Sequence, residues 1–134
     1  MDIPCQEVLV LDKLLCGRRV LVVEDETLIL VMIEDLLADL GCESVSSAAT
    51  VEKALALIDE QVFDVVMLDM NLKGSDSHPV AEALSARGTP FIYSTGNTGH
   101  DLREGFSDRP VLTKPFRSDD LVAILAHLKL VPIG

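Results

Sequence analysis

The chain has 134 residues, enough for one ordinary domain and too few for two. Hydrophobic residues make up 49% of it, which excludes a disordered chain, and apolar runs such as Leu28 to Ile33 are far too short to cross a bilayer. The formal net charge of -11 argues against nucleic acid and anionic membrane as partners, since both need Lys and Arg to displace counterions.

Residues 1–17 stand apart from the rest of the chain. Met1-Asp2-Ile3-Pro4 lacks the basic start of a signal peptide, so the expected location is the cytoplasm. Gln6 to Cys16 carries Val8, Leu11 and Leu15 at helical spacing and stops at Gly17. An extra helix, packed on the domain or on a second copy, is the expectation, with a frayed N-terminus as the alternative. Cys5, Cys16 and Cys42 are odd in number and form no C-x-x-C, so reduced thiols are expected rather than a disulfide framework or zinc.

From residue 18 to about 130, strand-like and helix-like segments alternate, and residues 131–134 form a short tail. The first strand is expected at Arg19 to Val23. The first helix is expected from Glu26 to Leu40, with Ile29, Ile33, Leu36 and Leu40 at helical spacing and Gly41 as its stop. A weaker strand follows near Cys42 to Ser46. Thr50 then caps a helix to Glu60, with Lys53 giving only half of a capping box. The third strand is expected at Asp64 to Leu68. The next helix begins at Pro79, a residue suited to a first turn, and ends near Arg87-Gly88. Pro90 to Ser94 reads as the fourth strand, His100 to Phe106 as a short helix and Val111 to Thr113 as the fifth strand. A last helix after Ser118 places Leu121, Ile124, Leu125 and Leu128 on one face. Alternation of this kind implies parallel strands joined by helical crossovers, hence an α/β doubly wound five-stranded sheet. Ligands of such sheets bind at the carboxyl ends of the strands.

Those ends carry the chemistry. The first strand stops on Glu24-Asp25, the third on Asp69, the fourth on Thr95 and the fifth on Lys114-Pro115. Gathering acids at one sheet edge is costly unless a cation or a charge-neutralising reaction occupies the gap. Each residue alone reads as a solvated strand end or a surface group; together and in this order they outline a phosphoryl-acceptor site. His78, His100 and His127 lack metal-ligand spacing and read as surface residues.

The runs Val22-Val23-Glu24-Asp25-Glu26, Met67-Leu68-Asp69-Met70-Asn71, Tyr93-Ser94-Thr95-Gly96 and Thr113-Lys114-Pro115-Phe116 resemble the receiver domain of two-component response regulators, over about Arg18 to Lys129. Leu68 to Gly74, Pro79-Val80-Ala81 and Gly88 to Gly96 are similar to the "FAT GUY" receivers, single-domain response regulators of alphaproteobacteria, several of them linked to stress signalling. Ser94 departs from that motif, which prefers Ala, and so does the ending Asn97-Thr98.

The resemblance implies a flavodoxin-like sheet with strand order 2-1-3-4-5 and Asp69 as phosphoacceptor. It implies Mg2+ held by Glu24, Asp25, Asp69 and the Asn71 backbone carbonyl, with Glu24 acting through water. A hard divalent cation with oxygen ligands offsets the repulsion between a carboxylate and an incoming phosphoryl group. Lys114 would meet one phosphoryl oxygen as a point charge, the Thr95 hydroxyl another, and Gly96 would leave its N–H open to phosphate. Pro115 would follow a cis bond that aims Lys114 into the site. Where many receivers carry an aromatic residue three before the Lys, this chain has Val111, so transmission is expected through Tyr93 or the Gly96–Gly99 loop.

The implied partners are a sensor histidine kinase or a histidine phosphotransferase, docking partly on the first helix, with a homodimer as a further candidate. The almost unbroken apolar stretch of that helix offers Leu30 and Val31 as docking positions, with lateral packing by residues 1–17 as the alternative. Only Leu130 to Gly134 follow the last helix, so the expectation is a stand-alone receiver that is not an enzyme and acts through protein partners. A phosphate sink and a binding module that ignores phosphate are the alternatives. A haloacid-dehalogenase-type phosphatase would want an acid where Asn71 stands, and a flavin-binding relative would want a phosphate-cradling loop after the first strand.

Overall fold

The computed structural model describes residues 17–42, 44–72, 75–95, 111–113 and 117–127. The extra helix expected before Gly17 and the short helix expected at 100–106 lie outside the described residues. Five strands form one parallel sheet: β1 (Arg19–Val23), β2 (Ser44–Ala48), β3 (Val65–Asp69), β6 (Phe91–Thr95) and β7 (Val111–Thr113), in the order β2-β1-β3-β6-β7. The helices are α1 (Thr27–Asp39), α2 (Val51–Glu60), α3 (His78–Arg87) and α4 (Ser118–His127). A two-rung antiparallel hairpin, β4 (Asn71–Leu72) with β5 (Ser75–Asp76), lies between β3 and α3.

β1 and β3 are buried almost throughout because helices cover both faces of the sheet. Alternate side chains therefore enter two separate cores. Leu21, Val23, Val66, Leu68, Phe91 and Tyr93 pack with Ala54 and Ile58 of α2 and Val80, Ala81 and Leu84 of α3. Val20, Val22, Val65, Met67 and Ile92 pack with Ile33 and Leu37 of α1 and Leu121 and Leu125 of α4. Tyr93 is closed into the first of these, edge-on to Phe91 with ring centroids 5.4 Å apart.

Local chemistry sets the boundaries. Thr50 caps α2 as expected, its hydroxyl accepting from the Lys53 N–H at 3.1 Å. Gly88 ends α3 with φ of 71°, a left-handed conformation that suits glycine. β2 runs two residues later than the 42–46 expected. It is an edge strand rich in serine, and Ala48 is the residue that meets Val23 and the core. β3 starts one residue later than expected because Asp64 is an anchor rather than a strand residue. Its carboxylate accepts from the Arg19 N–H at 2.8 Å and pairs with the Arg18 guanidinium at 3.4 Å. β6 likewise starts after Pro90, which has no N–H and contributes its carbonyl to Val66.

Candidate metal and phosphoryl site

The sheet order places β1 beside β3, and their register pairs Val23 with Leu68. The next residues, Glu24 and Asp69, are therefore neighbours at the carboxyl edge. Asp69 also pairs with Ser94 in β6, so it stands in the middle of three adjoining strand ends. Glu24, Asp25 and Asp69 bring one carboxylate oxygen each within 4.8 Å of one another. Glu24 is 1% exposed and Asp69 6%. Three acids held this close, two of them buried, repel strongly in low dielectric, and a divalent cation with oxygen ligands is the group that offsets this.

Backbone groups hold the arrangement in place. The Glu24 N–H continues the ladder to the Ala48 carbonyl at 3.0 Å, and the Glu24 carboxylate accepts from the Glu26 N–H at 3.3 Å, at the start of α1. A helix N-terminus carries partial positive charge and favours an acid there. Past Asp69, the Met70 N–H donates to the Ser94 carbonyl at 3.0 Å, and the Met70 carbonyl accepts from Ser77.

Of the residues expected at the site, the structure brings Glu24, Asp25 and Asp69 together. It puts Asn71 two residues beyond Asp69 in β4 and ends β6 on Thr95, whose backbone pairs with Thr113. Lys114, Pro115 and Gly96 lie outside the described residues. The β4–β5 hairpin and the bond from Ser77 do not follow from the sequence pattern. The sequence signal for them is a serine two residues before Pro79, at the place of an N-cap.

The expected docking pair divides. Val31 is 49% exposed, whereas Leu30 packs partly against the α1/α4 core. The outward apolar positions of α1 are Leu28, at 87% exposed, Val31 and Met32. An almost unbroken apolar stretch hides which residues face out, because helical periodicity is lost when both faces are apolar.

The profile of the response regulator receiver domain matches residues 20–126. The chain belongs to the response regulator receiver family. Among solved structures, the receiver is similar to SdrG of Sphingomonas melonis Fr1, with 44% identity and a TM-score of 0.74 over 82% of this chain and 94% of that one. SdrG is also known in a BeF3-activated conformation, with 43% identity and a TM-score of 0.72 over 83% of this chain and 95% of that one. The receiver domain of the sensor histidine kinase PA1611 of Pseudomonas aeruginosa, solved with a magnesium ion coordinated in its active-site cleft, shows 28% identity and a TM-score of 0.71 over 82% and 95% of the two chains. The transcriptional regulatory protein PdtaR of Mycobacterium tuberculosis is 33% identical over 109 residues, covering 78% of this chain and 53% of that protein. The receiver spans between about a fifth and about half the length of such curated relatives. Among the described residues, no helix is long and apolar enough to cross a membrane.

Proposed function

We propose that this receiver takes a phosphoryl group onto Asp69 from a histidine kinase or histidine phosphotransferase, and that its output is a change in which protein it binds. The observation that carries this is the meeting of Glu24, Asp25 and Asp69 within 4.8 Å at the switch point of a parallel sheet, two of them buried. Those three carboxylates, with the Asn71 carbonyl, would hold Mg2+, which supplies charge neutralisation when bound. An Asp69 oxygen attacks phosphorus of the donor phosphohistidine. The P–N bond breaks, an acyl phosphate forms, and the leaving imidazole nitrogen takes a proton from solvent. Lys114 and Thr95 then hold two phosphoryl oxygens. The BeF3-activated form of SdrG and the magnesium-bound PA1611 receiver support this reading by similarity.

The phosphodonor docks on the outer face of α1 at Leu28, Val31 and Met32, exposed apolar residues of the helix that follows Glu24 and Asp25. The proposed setting is a cytoplasmic relay of the alphaproteobacterial stress type. Incubation with Mg2+ and a small phosphodonor, followed by intact mass, tests the core of this. Wild type should gain one phosphoryl group and Asp69→Asn none; equal labelling of both would place the acceptor elsewhere.

A further inference from the structure

Ser77 occupies the N-cap of α3, where a serine hydroxyl ordinarily accepts from a backbone N–H of the first turn. Here it makes no such bond. Its Oγ instead donates to the Met70 carbonyl at 3.1 Å, and its own backbone N–H donates to the same oxygen at 3.3 Å. The residue is 1% exposed. The neighbouring Asp76 supplies the cap, its Oδ1 accepting from the His78 N–H at 2.9 Å. A good local interaction given up in favour of a distant one is the mark of a position shaped by function.

The distant partner explains the exchange. Met70 directly follows Asp69, and its N–H is held by the Ser94 carbonyl at 3.0 Å. The peptide groups on both sides of Met70 are thereby fixed, one by β6 and the other by Ser77. Downstream, Asn71 pairs with Asp76 and Leu72 with Ser75, and the Leu72 side chain is buried in the α2/α3 core. The pairing of β4 with β5 is thus closed by the bonds between Met70 and Ser77, with Ser77 as the clasp and Asp69 at the entrance.

We propose that Ser77 is a positioning residue for the cation site: through the Met70 carbonyl it orients the backbone that presents the Asp69 carboxylate and the Asn71 carbonyl. The inference rests on the proposed receiver function. Without the hydroxyl, the Met70 carbonyl loses the shorter of the two bonds that Ser77 gives it. Loss of one hydrogen bond corresponds to about a fivefold change in an equilibrium constant.

The test compares wild type, Ser77→Ala and Arg87→Ala. Arg87 bonds the Ile58 carbonyl and pairs with Asp59 at the far end of α3, so its loss weakens the same helix away from the acids. Mg2+ is titrated into each full chain by calorimetry, and phosphoryl uptake from a small phosphodonor is followed at varied Mg2+. Ser77→Ala should bind Mg2+ about fivefold more weakly, and its half-saturating Mg2+ for uptake should rise in step. Its rate at saturating Mg2+ should change less. Arg87→Ala should keep wild-type affinity although its Tm falls. Unchanged affinity in Ser77→Ala, or an equal loss in Arg87→Ala, overturns the positioning role. A wild type that neither binds Mg2+ nor takes up phosphate overturns the receiver reading, and the role of Ser77 with it.

Discussion

Replacing Asp69 by Asn should stabilise the metal-free protein, and magnesium should then stabilise wild type more than the variant. Three carboxylate oxygens lie within 4.8 Å of one another. At that separation a pair of like charges costs about 1 kcal/mol in water and about 3 kcal/mol at an effective dielectric of 20. Neutralising Asp69 relieves two such repulsions and gives up one attraction to the proposed counter-charge, Lys114. The net gain is about one pair, roughly 1–3 kcal/mol. For a domain of this size, that raises Tm by roughly 3–12 °C. Magnesium works against this gain. At a hundred times its Kd it adds about 2.7 kcal/mol to wild type, and the variant lacks one ligand for it. Differential scanning calorimetry in EDTA and in magnesium chloride reads both halves. A variant that melts below wild type in EDTA, or that magnesium lifts as much as wild type, would mean that the three acids do not act as one cation site.

Phe91→Ala should cost about 3–5 kcal/mol in urea unfolding, since Phe91 is fully buried and packs edge-on to Tyr93; a loss below about 1 kcal/mol would contradict its place in the core. Val31→Asp should leave stability within about 0.5 kcal/mol, because the side chain is half exposed. It should slow phosphoryl transfer from a protein donor while leaving transfer from a small phosphodonor unchanged. Equal rates with both donors would remove α1 as the docking face.

Most of the fold was legible because its strands are buried on both faces and so read as dense apolar runs, as in Val20 to Val23 and Val65 to Leu68. Where that signal thins, the boundaries moved: β2 is three serines, one valine and one alanine, and only its pairing with β1 fixes its limits. The acids could be read from sequence because each directly follows a strand. The clasp at Ser77 could not be. It depends on a bond to Met70, seven residues away through a reversing hairpin, and a serine before Pro79 reads first as a helix cap. The outer face of α1 was only half legible, since apolar residues fill both of its sides.

The sheet that presents the acids also insulates the two hydrophobic halves from each other. Phe91 and Ile92 are adjacent in sequence yet belong to different compartments. Substitutions beneath α2 and α3 should therefore combine additively with those beneath α1 and α4, since residues sharing no neighbours couple weakly. Either flank of the molecule can then drift towards a new binding partner while the opposite flank, and the strand ends between them, keep their structure.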